Sequence, residues 1–169
     1  NLTLFAKGSE MLPDLGYTWT QMRRWCMSTV GHNLVVIDRT DQTGRPSDGD
    51  LLWFFPDTNG VSVVEADGRR GYRGINGIDT YRRLLVTVPV SASDAYVVDI
   101  FRVRGGTVHD WTLNGDANED TAATCNLPLT GDRKWMLEPG EKWNEPPIVG
   151  ARFSPYGMLR DMRMATCAE

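Results

Sequence analysis

The sequence predicts an all-β chain folded as an antiparallel two-sheet β-sandwich. Three observations carry that prediction. The 17 glycines and 9 prolines cut the chain into short runs rich in β-branched and aromatic residues. No long segment holds a helical period. Turn-forming residues recur between the runs, as strand-to-strand connections require. The 169 residues fall within the size of one domain. No linker or internal repeat marks a boundary, so residues 1–169 are expected to form a single sandwich domain.

Taken in order, Leu2, Leu4 and Ala6 alternate with Thr3, Phe5 and Lys7, which places the opening residues inside a strand. A chain that opens with Asn inside a strand reads as a fragment of a longer protein. Leu34–Ile37 is a short β-branched run. Leu51–Phe55 and Val61–Glu65 flank Pro56-Asp57-Thr58-Asn59-Gly60, where Asn and Gly tolerate positive φ, and this predicts a hairpin. Tyr81–Val90, Tyr96–Val103 and Val108–Leu113 are separated by Ser91–Asp94 and by Gly105-Gly106, and they read as a continuing meander. Beyond Leu113 the pattern weakens. Gly115–Thr121 and Glu138–Pro147 read as loops, with strands near Trp135–Leu137, Val149–Phe153 and Met158–Met164.

Composition excludes several function classes. With 18 basic against 22 acidic residues the net charge is −4, which argues against binding nucleic acid by bulk phosphate neutralisation. No run approaches 18 apolar residues, so no membrane span is expected, and Asn1–Glu10 lacks the basic start and apolar run of a signal peptide. Three cysteines allow at most one internal disulfide and fit no zinc ribbon or CxxC motif. Cys26, between Trp25 and Met27, reads as a small buried hydrophobe. Asp116–Asp120 begins like a calcium loop but has Thr121 where the EF-hand needs Gly and Leu127 where it needs Glu, so it reads as a solvated loop. No Walker loop, dinucleotide fingerprint or Gly-x-Ser-x-Gly elbow occurs.

Two blocks of residues carry a family pattern. The first is Met11-Leu12-Pro13-Asp14-Leu15-Gly16-Tyr17, Trp25, and Ser28-Thr29-Val30-Gly31-His32-Asn33 with Val35, Val36, Asp38 and Gln42. The second is Tyr81–Leu85, Tyr96-Val97-Val98-Asp99, and Gly105-Gly106 before Val108-His109-Asp110-Trp111. Together they resemble the β-domain signature of the heparinase II/III-like polysaccharide lyases, an Asp-x-Gly-Tyr turn followed by a Ser-x-x-His-Asn-Thr strand and a Val-x-Val-Asp segment. The resemblance spans roughly Leu4 to Gly115. It implies one part of a larger enzyme in which an α/α toroid and a β-sandwich cleave uronic-acid-containing polysaccharide by β-elimination, in the periplasm or outside the cell.

In that family a tyrosine of the toroid and a histidine of the sandwich move the protons. The histidine lies on the strand before the one that opens this chain, so the resemblance implies no catalytic residue here, and Tyr17 is not a substitute. It also implies a zinc held by Asp14, His32 and a histidine that this chain lacks, hence a weak, incomplete site. His32 has a second reading, as a half-buried strand histidine whose ring bonds to a backbone group. The implied partners are the toroid domain and an acidic polysaccharide.

For the polysaccharide, the residues themselves offer candidates. Arginine outnumbers lysine 15 to 3, and its planar fork grips carboxylate or sulfate in two places. Arg69, Arg70 and Arg73 around Tyr72, together with Arg82 and Arg83, are therefore candidate substrate contacts. The alternative is a strand edge neutralised by Glu65, Asp67 and Asp79. His109 and Trp111 share a strand face by alternation and could meet a sugar, although the burial habit of tryptophan favours Trp111 in the core. Among the six tryptophans, Trp143 sits amid charged and polar neighbours and is expected to be exposed. The rival functions are a free-standing carbohydrate-binding module and a sandwich used only to dock another domain.

Overall fold

The computed structural model describes residues 1–16, 18, 22–44, 47–143 and 154–167. Tyr17, Trp19 and the strand predicted at Val149–Phe153 lie outside the described residues. The strands described are β1 (Leu4–Ala6), β2 (Ser9–Leu12), β3 (Val35–Ile37), β4 (Asp50–Thr58), β5 (Val61–Asp67), β6 (Thr80–Pro89), β7 (Ala95–Arg104), β8 (His109–Trp111), β9 (Thr130–Trp135) and β10 (Arg160–Met164), with a one-turn helix α1 (Arg23–Cys26). Every pairing is antiparallel, and the fold is all-β. Among the described residues no helix is long and apolar enough to cross a membrane. The chain divides into two compact units, Asn1–Leu34 with Thr112–Glu169, and Val35–Trp111.

The unit Val35–Trp111 holds the four-stranded sheet β4-β5-β6-β7. Its first hairpin forms as predicted, because Asn59 and Gly60 both take positive φ (54° and 83°), the conformation whose twist matches the flanking strands. Register places Tyr81 beside Val103 and Arg83 beside Phe101 on one face. There Tyr81, Phe101 and Val103 pack with Val35, Ile37 and Tyr72, the last from the 3-10 turn Arg69–Tyr72. The tyrosines also hydrogen-bond β3, since Tyr81 Oη donates to the Val35 carbonyl at 2.6 Å and Tyr72 Oη accepts the Ile37 N–H at 3.2 Å. The opposite face carries Trp53, Phe55, Val98 and Ile100 in neighbouring rows, all exposed, with the Trp53 and Phe55 rings stacked at 6.2 Å.

One predicted pairing differs. After Gly105-Gly106 the chain leaves the meander, and β8 pairs with β3, Val35 opposite Trp111 and Ile37 opposite His109. Both glycines have positive φ (103° and 77°), which takes the backbone off the line of β7. The Asp38 carboxylate then accepts the N–H groups of Thr107 (2.7 Å) and Val108 (2.8 Å) and fixes the new direction. These two bonds hold the Asp38 carboxyl below its ordinary range.

In the unit of Asn1–Leu34 with Thr112–Glu169, β1 and β2 form a hairpin, and β9 and β10 pair as a second two-stranded antiparallel sheet. α1 buries Trp25 and Cys26, and burial pushes the Cys26 thiol up, which suits an inert apolar role. Cys125 and Cys167 are exposed, and all three thiols are free. Trp143 is 8% exposed, contrary to the expectation from its polar neighbours. Gly157 explains the difference, because a Cβ there would collide with the Trp143 ring, so the indole lies against bare backbone.

Candidate functional site

Three groups of residues bear on function. The first joins the two halves of the family-like motif. His32 follows the 3-10 turn Thr29–Gly31 and is not on a strand, a difference from the predicted Ser-x-x-His-Asn strand. Its Nδ1 lies 2.7 Å from the Ser28 carbonyl, which assigns a proton to Nδ1 and leaves Nε2 for another partner. Asp14 Oδ1 is 3.9 Å from that Nε2. Desolvation pushes the Asp14 carboxyl up, but hydrogen bonds from the Gly16 N–H and the Asn1 amide, with the nearby His32, bring it below its ordinary range. Asp14 is therefore an anion at neutral pH.

Asn33 locks this geometry. Its side chain is fully buried, Nδ2 donates to the Leu2 and Pro13 carbonyls, and Oδ1 accepts from the Asn114 backbone N–H. The amide thus ties Pro13, beside Asp14, to the residue beside His32. As a metal centre the site is half built. Asp14 and His32 offer two donors where zinc takes four ligands, and no group of three His, Cys, Asp or Glu side chains that could hold a metal occurs among the described residues. The described residues do not complete a zinc shell.

The second group is the arginine cluster of the unit Val35–Trp111. Tyr72 is corrected from a surface contact to a core residue, being 1% exposed, with burial pushing its phenol up to about 12. Arg69 and Arg82 both reach the buried Asp67 (2.9 and 3.3 Å), Arg70 reaches Asp50 (2.7 Å) and Asp48 (3.2 Å), and Arg83 grips Asp99 through two bonds (2.9 and 2.6 Å). Arg102 pairs with Glu65. Arg73 is exposed and pairs with no carboxylate among the described residues. It borders a cavity of about 260 Å³ shared with Asp50, Asp67, Arg69, Arg70 and Ile78. Most of this positive charge is already neutralised by neighbouring acids, so the cluster is chiefly a structural ion-pair network.

Asp67 is the hub of that network, and its removal has a readable consequence. Desolvation pushes its carboxyl up, but the Arg69 N–H and guanidinium, then Arg82, more than offset this and hold it low. A carboxyl depressed on folding contributes stability in full above the unfolded value of about 4, and that contribution is lost as pH falls through the folded value. Asp67→Asn is expected to lower stability by about 2 kcal/mol at pH 7. It should also narrow the gap to wild type below pH 4, as followed by urea unfolding at several pH values. A gap that stays constant down to pH 2 would remove Asp67 from the acid response.

The third group is His109 and Trp111. Trp111 is 60% exposed, against the expectation that it lies in the core, because among the described strands β8 pairs only with β3 and presents this ring outward. His109 is also exposed, with Nε2 2.7 Å from the Gly105 carbonyl. Sequence did not separate Trp53 on β4 from the other tryptophans, and Asn33 entered only as a member of the family-like motif. An apolar run such as Leu51–Phe55 reads as core whichever face is covered, and a lone Asn reads as surface.

No protein-family model, curated protein or solved structure matches the chain.

Proposed function

We propose that this chain is the β-sheet part of a heparinase II/III-like polysaccharide lyase, one that helps hold a uronic-acid-containing polysaccharide but carries no complete proton-transfer machinery. The observation that supports this reading is the convergence of Asp14 and His32, 18 positions apart in sequence, on one site braced by Asn33. β-Elimination removes a weakly acidic proton beside a carboxylate, which requires a positioned base and stabilisation of the developing enolate. In this reading both come from the α/α toroid and from a sandwich histidine of the parent enzyme, a periplasmic or secreted protein. The exposed row of Trp53, Phe55, Val98 and Ile100 is then the inner face of the sandwich. Zinc enters only as an ion that Asp14 and His32 help to hold when a further ligand is supplied.

The chain alone is expected to bind heparin or alginate and to generate no unsaturated uronate, read as ultraviolet absorbance. Enzyme-dependent growth of that absorbance, abolished in His32→Ala, would place catalysis in this chain and overturn the reading. A second reading, a neutral-sugar module, is favoured by the exposed Trp53 and Trp111 rings, which are 57% and 60% accessible and suited to stacking on sugar faces. Salt-insensitive retention on xylan that disappears in Trp111→Ala would favour the module.

A further inference from the structure

Arg73 is not the only exposed cation without a carboxylate partner among the described residues, and two others lie outside the cluster that sequence singles out. β9 and β10 form a two-stranded antiparallel sheet whose short strands carry Arg133, Lys134, Arg160 and Arg163. A groove of about 460 Å³ runs along it, lined by Gly131, Arg133, Lys134, Asp161 and Arg163, three cations against one carboxylate. Arg133 is partly engaged, bonding the Leu137 carbonyl at 2.6 Å and Glu138 at 3.3 Å. Lys134 and Arg163 are exposed and pair with no carboxylate among the described residues. This contrasts with Arg69, Arg70, Arg82 and Arg83, each held by an acid.

Backbone geometry aims these groups. The pairing shifts between Met162 and Met164, so Arg163 stands at an irregularity of the kind that re-directs a side chain. Asp161, within the groove, takes φ of 51°, a left-handed conformation unusual for a residue other than Gly. Trp135 is already covered, with Lys134 Nζ 5.1 Å and the Arg160 guanidinium 5.9 Å from its ring centroid. Its ring therefore offers no platform for a stacking base, which disfavours a nucleic-acid strand.

We infer that the β9–β10 groove is an anion-binding site that takes adjacent sulfate or carboxylate groups of an acidic oligosaccharide, with Lys134 and Arg163 as its principal contacts. This rests on the polysaccharide reading above and names where such a chain is gripped. The probe is a heparin tetrasaccharide titrated into the full chain, followed by backbone amide shifts and calorimetry. Shifts at Gly131–Trp135 and Arg160–Met164 are expected, with binding about tenfold weaker in Lys134→Ala/Arg163→Ala, since two charge-assisted contacts are lost. Arg73→Ala should stay within about twofold, because Arg73 does not line the groove.

Both substituted side chains are exposed, and an unchanged melting temperature checks that the variant is folded. Shifts confined to Arg69–Arg83, or full affinity in the double variant, overturn the groove while leaving acidic-polysaccharide binding intact. Absence of binding to both the tetrasaccharide and alginate overturns both. Equal affinity for a single-stranded DNA of matched charge would make the groove a non-selective polyanion contact and also overturn the inference.

Discussion

Asn33→Ala is expected to lower stability by about 4 kcal/mol, because it strands several buried backbone groups at once. The side chain is 0% exposed. Its Nδ2 satisfies the carbonyls of Leu2 (2.8 Å) and Pro13 (3.0 Å), and its Oδ1 satisfies the Asn114 N–H (2.6 Å) and amide (3.2 Å). Alanine supplies none of these bonds and is too small to admit well-bonded water without rearrangement. Asn33→Asp keeps the acceptor but replaces the donor with a carboxylate oxygen that faces the Leu2 and Pro13 carbonyl oxygens, so it should be no better tolerated. The loss should centre on the unit of Asn1–Leu34 with Thr112–Glu169, read as faster hydrogen exchange at residues 2–14 and 112–114. Exchange in β5 and β6 should be affected least. A uniform loss of protection across all strands would instead mean that the two units unfold as one.

The same substitution bears on the proposed function, because Asn33 is what keeps Pro13 beside the chain that carries His32. A structural Asn of this kind is hard to read from sequence. It lies in a polar-looking stretch, and its four partners come from residues up to 81 positions away. Only the family-like pairing of His32 with Asn33 hinted at it, and that hint concerned the histidine.

Local features were legible for the opposite reason. The β4–β5 hairpin is set by Asn59-Gly60, whose positive φ values are a property of two adjacent residues. The long alternating runs of β6 and β7 likewise declare themselves over 10 residues each. The β3–β8 pairing was not legible, since it depends on Asp38 capturing the Thr107 and Val108 amides some 70 positions away. Tryptophan burial failed in both directions. Trp143 looked exposed from its charged neighbours and is buried by the space that Gly157 leaves, whereas Trp111 looked like core and is exposed by its pairing. In each case the deciding atom belongs to a distant residue. The arginines misled similarly, because Asp67, Asp50 and Asp99 reach them only once the strands are in register.

Tyr72 separates a ligand contact from a core residue by the size and kind of its effect. Tyr72→Ala is expected to destabilise the unit Val35–Trp111 by about 4 kcal/mol, the cost of emptying a fully buried aromatic site. The ring meets Tyr81 edge-on at 5.1 Å, and Tyr81 in turn meets Phe101 edge-on at 4.9 Å, so the lost volume opens one end of an aromatic cluster. The hydroxyl also matters, since it accepts the Ile37 N–H at 3.2 Å and donates to the Val35 carbonyl at 3.4 Å. Tyr72→Phe keeps the ring and strands the Ile37 amide, so it should cost about 1 to 2 kcal/mol. Both values come from urea unfolding at neutral pH, where the Tyr72 phenol, raised by burial to about 12, is fully protonated. The phenylalanine variant should bind heparin or alginate as wild type does, because its hydroxyl faces β3 and not solvent. A variant that unfolds like wild type but loses polysaccharide binding would return Tyr72 to the surface and displace it from the core described for this unit.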